Sequence, residues 1–305
     1  MEIRPLPALL QEKAIKEINE KPDRIASDIG ILREWLQQQP HLSDQWLVAF
    51  LRGNKYSLEK TKSKLDMCYT LRTLLPEIFR SRNPFDPTIQ EILKLGIFLP
   101  LTENTAEDSR RVSIQRLRDF DPSKFRFIDF MKVSYMIIDI LILEDDNFII
   151  AGQDLLVDLE GVGFTTFTQW TPAMAKKILM IIEKALPVRM KSSHILRTPQ
   201  GFEAAYTILK IFLGEKHKKR FHVYSENFDG VYDTIPRRIL PKEYGGDHGT
   251  VQELIDYWKK KVESYRDWFI REEHARSDES LRPGTPNTSS SLFGVEGSFR
   301  KLQVD

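Results

Sequence analysis

Across the first 95 or so residues the apolar positions recur only at helical spacing. Ile25, Ile29, Leu32 and Leu36 form one stripe, which Pro22-Asp23 can open and Pro40 ends. Ser43 is placed to cap a helix from Asp44 to Leu51, and Ser57 a longer one reaching Leu75. Asp86 to Leu95 makes a short helix that Gly96 closes. Short helices joined by short loops predict a small bundle.

After Gly96 the period changes. Val112 to Leu117 and Gln153 to Asp158 alternate as strands do, and Phe221 to Tyr224 is a shorter candidate. Helical stretches lie between them, at Asp129 to Leu143, Pro172 to Leu186 and Gln200 to Leu213. Such alternation predicts an α/β layer structure with a largely parallel sheet. A last helix spans about Thr250 to His274, and no internal repeat is visible. Ser277 to Ser291, rich in Ser, Pro, Gly and Thr, reads as linker. Leu292-Phe293-Gly294-Val295 and Phe299 are apolar for a free tail, which suggests docking on the body. The expected division is a helical domain at 1–95, an α/β domain at 96–276 and a tail at 277–305.

Composition narrows the class. The 305 residues are 41% hydrophobic and 29% charged, enough for a sizeable core. No run approaches the roughly 20 apolar residues that span a bilayer, and the N-terminus reaches charged residues too early for a signal peptide. Cys68 is alone, which excludes an intramolecular disulfide and suggests no cysteine-based metal site. A cytoplasmic protein is expected, with the Asn287-Thr288-Ser289 sequon fortuitous. A net charge of +1 argues against nucleic-acid binding. Between Pro187 and Arg220, however, eight Lys or Arg face only Glu203 and Glu215, a local excess of +6. That stretch also contains Phe202, Ala205, Tyr206, Ile208, Leu209, Ile211, Phe212 and Leu213, more apolar than a one-sided surface helix requires. A greasy helix flanked by cations suits an anionic membrane surface.

Signs of catalysis are lacking. His194 has no nucleophile in a recognisable arrangement, and the Gly161-Val162-Gly163 fragment lacks the third glycine of a dinucleotide fingerprint. No P-loop, nucleophile elbow or zinc-helix motif occurs, and the six histidines show no ligand spacing. The expectation is no enzyme, no metal and no cofactor.

Five segments in order resemble the CRAL-TRIO family, which includes tocopherol and retinaldehyde carriers. They are Asp44, Leu47, Phe50-Leu51-Arg52 with Lys55-Tyr56; Asp158-Leu159-Glu160-Gly161, then Gln169, Thr171-Pro172 and Ala175-Lys176-Lys177; Pro187, Arg189, Lys191 and His194; Phe212-Leu213 with Glu215-Lys216; and Leu240-Pro241, Glu243-Tyr244-Gly245-Gly246. The resemblance covers about residues 25 to 275. The terminal segment from Leu292 to Lys301 is similar to tails on the insect tocopherol-transfer-like branch.

The resemblance implies an N-terminal helical bundle followed by an α/β lipid-binding domain, with one lipid held between the sheet and a mobile gate helix, here Pro199 to Leu213. It places Met131, Ser134, Ile138, Gln153, Leu155, Val157, Ile181, Leu186, Val188, Ala205 and Leu209 around the lipid. On the residues alone, Met131, Val133, Tyr135, Met136, Ile137 and Ile138 either line a cavity or form the buried face of a helix packed on a sheet. Phe164, Phe202, Ile208 and Phe212 are expected to face the membrane, and Arg189, Lys191, Lys216 and Arg220 to bind phosphatidylinositol bisphosphate. Two departures stand out. Arg197 occupies a place where the family commonly has Asn, a residue that helps order the turn before the gate. Gln153 sits where the tocopherol carrier is apolar; pointing inward, it favours a ligand with a polar group. The expected function is a cytoplasmic, transiently membrane-associated carrier of one small hydrophobic lipid, such as a tocopherol, retinoid or carotenoid. Its rival is a lipid-sensing adaptor that binds phosphoinositide membranes without transfer. Oligomeric state is open, with a monomer favoured.

Overall fold

The computed structural model describes residues 3–37, 42–118, 120–163, 166, 169, 171–212, 215–225 and 227–294. The chain opens with helices α1 (Ala8–Ile18), α2 (Ile25–Trp35), α3 (Asp44–Gly53), α4 (Leu58–Leu74), α5 (Pro76–Phe79) and α6 (Pro87–Leu95). Local chemistry sets several ends. Ser43 Oγ accepts from Trp46 N at 3.2 Å, and Asp86 accepts from Thr88 N at 2.9 Å just before Pro87. Ser57 precedes α4 but makes no side-chain cap; only its carbonyl takes up Thr61 N. Gly96 closes α6 at φ 63, and a Cβ there would come within 2.4 Å of Ile255. Only glycine satisfies both conditions.

Five strands form one sheet in the order β1 (Phe98–Pro100), β2 (Arg111–Arg116), β3 (Gln153–Asp158), β4 (Met190–Leu196) and β5 (Phe221–Tyr224). β1 is antiparallel to β2, and the remaining pairs are parallel. Helices make the crossovers: α7 (Phe127–Glu144) and α8 (Asp146–Ile150) join β2 to β3. A helix at Pro172–Met180, continuing as a π turn at Ile181–Ala185, leads to β4. The helix expected as the gate, Phe202–Phe212, and a short turn at Glu215–Lys218 lead to β5. The last helix is two, Val251–Ser264 and Arg266–Glu272, broken at Tyr265.

Two buried ion clusters tie these parts together. In the first, Arg52 of α3 donates to Glu20 at 2.8 Å and to Asp146 of α8 at 3.0 Å, while Tyr56 OH also reaches Glu20 at 2.8 Å. Burial alone would raise the Glu20 carboxyl, but Arg52, with Gln11 and Tyr56, outweighs it and holds it below its ordinary value. In the second, Asp139 on α7 accepts from Arg72 of α4 at 3.0 and 3.1 Å and from Arg82 at 2.6 Å. Arg72 reaches Glu272 as well, at 3.2 Å. Burial pulls the Arg82 guanidinium below its usual value in spite of Asp139.

A third knot holds the turn before the gate. Asp158, at the end of β3, accepts from Arg197 Nε at 2.9 Å and Nη2 at 2.6 Å, and from Tyr244 OH at 2.7 Å. The guanidinium also pairs with Glu160 at 3.0 Å and lies over the rings of Phe228 and Tyr244. Arg197 sits at φ 53, a left-handed conformation that Asn tolerates better than Arg. Its backbone strain is held by a bidentate side-chain pair.

The segment expected as linker is mostly exposed but anchored at Arg282. Arg282 forms a fork with Asp66 at 2.9 and 2.8 Å and donates to Thr70 at 2.7 Å, both on α4. A short helix at Ser289–Phe293 follows, and Phe293 is buried with the Lys177 ammonium over its ring. Lys176 Nζ donates to Gly294 O at 3.1 Å. Val295 and Phe299 lie outside the described residues.

Replacing Asp139 by Asn leaves two buried guanidinium groups short of a countercharge. The expected loss in urea unfolding is about 3–5 kcal/mol, and a variant within about 1 kcal/mol of wild type would show that the clamp contributes little. At the gate turn, Arg197→Ala is expected to cost about 2 kcal/mol. Arg197→Asn should cost about 1 kcal/mol less, because Asn relieves the backbone conformation. Thermal or urea denaturation of the two variants side by side checks the order.

Candidate functional site, an apolar cavity and a basic cluster

Alternation along a strand sends odd- and even-numbered residues of the sheet to opposite faces. Odd positions of β3, Gln153, Leu155 and Val157, share a face with Ser193 and Ile195 of β4 and Phe221 of β5. That face is the floor of a cavity of about 230 Å³. Its roof is one side of α7, where Phe127, Met131, Ser134, Tyr135 and Ile138 follow at helical spacing. Ile178, Leu179, Ile182, Leu186 and Val188 make a side wall. Phe202 and Tyr206, one turn apart on the helix Phe202–Phe212, stack at 5.4 Å and line the remaining side.

The structure places Met131, Ser134, Ile138, Gln153, Leu155, Val157, Leu186 and Val188 on the cavity. Ile181 is not among the lining residues. It is fully buried, and the π turn that begins there brings Ile182 rather than Ile181 to the wall. Phe202, expected on the membrane-facing side, is 7% exposed and lines the cavity, because its phase on the helix matches Tyr206. Val133, Met136 and Ile137 are buried in the core rather than on the cavity. Phe164 lies outside the described residues, as do the side chains of Ala205, Ile208, Leu209, Phe212 and Lys216. Sequence reasoning missed Phe127, one turn before Met131, and Phe221 at the start of β5. The i, i+4 spacing already pointed to the first.

Polar atoms interrupt the lining. Gln153, Ser134 and Tyr135 are each 4% exposed or less, and Gln153 Nε2, Ser134 Oγ and the Tyr135 hydroxyl find no hydrogen-bond partner. The opposite face of the sheet differs. There Ser192 Oγ donates to Asp154 at 2.7 Å and lies 2.9 Å from His194 Nε2, while His194 Nδ1 lies 3.3 Å from the Tyr224 hydroxyl. With Ser192 donating to Asp154, Nε2 carries the proton and Nδ1 accepts. Burial lowers the His194 pKa, and His222, stacked on it at 5.1 Å, adds to the effect. His194 is therefore a neutral link in a structural chain of hydrogen bonds.

Three of the four expected cations gather at one end of β4. Arg189 precedes the strand, Lys191 sits in a bulge that the β3 register skips, and Ser193 N bonds the carbonyl of Arg220. Gly152 permits this approach, since a Cβ there would come within 2.6 Å of Arg189 O. Arg220 Nη1 is bonded to the Met190 carbonyl, whereas Nε and Nη2 of Arg189 have no partner. Burial lowers the Lys191 pKa, and Arg189, Arg110 and Arg220 lower it further. Glu17 of α1 is an opposing carboxylate for both Arg189 and Lys191. Arg110 is an addition to the expected set; it pairs with Asp154 at 3.2 Å and remains half exposed. On the gate helix Ile211 projects into solvent with 73% exposure, and Val223 of β5 is also exposed. Among the described residues no helix is long and apolar enough to cross a membrane.

Residues 21–89 match the Pinta-like UBA domain, and residues 102–246 match the CRAL/TRIO domain. Human alpha-tocopherol transfer protein-like is 28% identical over 268 residues, covering 86% of this chain and 77% of that protein. Clavesin-1 of Xenopus laevis is 27% identical over 240 residues, covering 77% and 72% respectively. The crystal structure of Sfh5 aligns with a TM-score of 0.48 at 15% identity, over 72% of this chain and 80% of that one. The parallel sheet, its helical crossovers and the cavity above it all lie within or border the matched segment, and residues 102–246 form a CRAL/TRIO domain.

Proposed function

We propose that this protein encloses one small hydrophobic lipid in the cavity and carries it between membranes, with release aided by phosphoinositide contact. The observation that supports this most is an apolar cavity lined on one side by the Phe202–Tyr206 pair of the helix Phe202–Phe212, on a molecule that gathers Arg189, Lys191 and Arg220. Homology to a protein named alpha-tocopherol transfer protein-like points the same way. Burying roughly 400 Å² of lipid surface is worth about 10 kcal/mol gross, so spontaneous release is slow. Unloading then needs a trigger that favours an open state. The cation cluster, with an unsatisfied guanidinium, is suited to a polyphosphate headgroup. Ile211 supplies an apolar point for the acyl region.

Neutralising Arg189, Lys191, Lys216 and Arg220 together is expected to slow vesicle-to-vesicle transfer by at least about tenfold when acceptor vesicles contain phosphatidylinositol bisphosphate. Ligand affinity in solution should change by less than about twofold. Ile211→Asp should weaken vesicle sedimentation in the same direction. Equal loss of transfer and affinity would count against a separate release site. Tight ligand binding with no transfer by the wild-type protein would favour the adaptor reading.

A further inference from the structure

The polar atoms left inside the cavity carry information about the ligand's head. Gln153 is the one residue on the cavity face of β3 that is neither aliphatic nor aromatic, and it is 96% buried by the exposure given above. Its Nε2 donor has no partner. Across from the sheet, on the roof helix, the Ser134 and Tyr135 hydroxyls are equally unpaired. Burial pushes the Tyr135 phenol well above its ordinary pKa, so it keeps its proton and stays a donor. A buried donor without an acceptor is costly, and native interiors rarely leave several in one place. Each of these three can give a hydrogen bond to an oxygen that the ligand brings.

Charge restricts that oxygen further. No Lys, Arg or His occurs among the described residues that line the cavity. Among the described lining residues, Glu183 alone is charged. A carboxylate or phosphate drawn in with the lipid would lose its water without gaining a countercharge. The cations of Arg189 and Lys191 stand outside the lining. We propose that Gln153, assisted by Ser134 and Tyr135, makes this cavity selective for an uncharged lipid whose head is a carbonyl or hydroxyl oxygen, and that acids and phosphate-bearing lipids are refused. This specificity rests on the carrier reading above, and names the ligand class of the same cavity.

A matched series separates the possibilities. Retinal, retinol, retinoic acid and anhydroretinol share a skeleton and differ at the head, which is an aldehyde, an alcohol, a carboxylate and a hydrocarbon end. Binding of each to the full chain is measured by ligand absorbance or fluorescence after delipidation. The aldehyde and the alcohol are expected to bind at least about tenfold more tightly than the acid and the hydrocarbon. In Gln153→Leu the advantage over the hydrocarbon should fall by about tenfold while hydrocarbon affinity holds or rises. Tyr135→Phe gives an independent, smaller loss, and is the variant to use if Gln153→Leu does not fold. Equal binding of all four heads, or tighter binding of the acid, would overturn the selectivity and leave the carrier reading standing. A preference that survives in both variants would overturn the assignment to these residues. Binding of none of the four would overturn both the selectivity and the enclosed-lipid reading.

Discussion

Asp139 lies midway along the helix that roofs the cavity, on the side turned away from the floor. Two arginines grip it there, from α4 and from the segment before α6, and Glu272 of a late helix joins through Arg72. An apolar roof over an apolar floor would gain by closing the gap, because contact between the two surfaces removes both from water. A carboxylate held by two buried guanidinium groups cannot follow the helix inward without losing its partners. The position of the roof therefore depends on chemistry outside the cavity. Arg72 is itself enclosed by aromatic rings, with Trp46 at 5.5 Å and Tyr69 at 5.6 Å, so the N-terminal helices supply the fixed point.

The sheet below shows the same division of labour at the scale of single residues. Neighbours along β3 and β4 point to opposite faces, one forming a fully bonded chain of Asp154, Ser192, His194 and Tyr224, the other a lining with unpaired polar atoms. Satisfied polar contacts stiffen one face, and unsatisfied ones remain where a ligand can answer them. At the end of β3 the Asp158 knot passes this rigidity to the turn that starts the gate helix. The floor and the turn that leads to its cover are thus held by the same set of polar contacts.

Much of this was legible in the chain. Alternation located β2, β3 and β5, and the cap residues Ser43 and Gly96 marked helix ends that the structure reproduces. β4 is only weakly legible, because Lys191-Ser192-Ser193-His194 is polar on both faces and lacks the apolar alternation of β2 and β3. β1, at three residues, is too short for a period to register. Around the cavity, the roof residues followed from the phase of α7, yet a void and a filled core give the same pattern, and Val133 and Met136 fell on the filled side. Phe202 was misplaced because the gate helix is apolar on too many sides for its spacing to fix an inward face. The ion clusters join residues 67 and 94 positions apart, a pairing that no local pattern encodes.

Phe293 and Gly294 brace the helix Pro172–Met180 from outside, through Lys177 and Lys176, and that helix carries Ile178 and Leu179 of the cavity wall. During synthesis these two residues leave the ribosome after every residue of the floor, roof and gate. The enclosure can begin to fold while the chain is still growing, but its outer brace arrives last. The wall therefore gains its outer support only after floor and roof have been made, and its final stiffness is a property of the finished molecule.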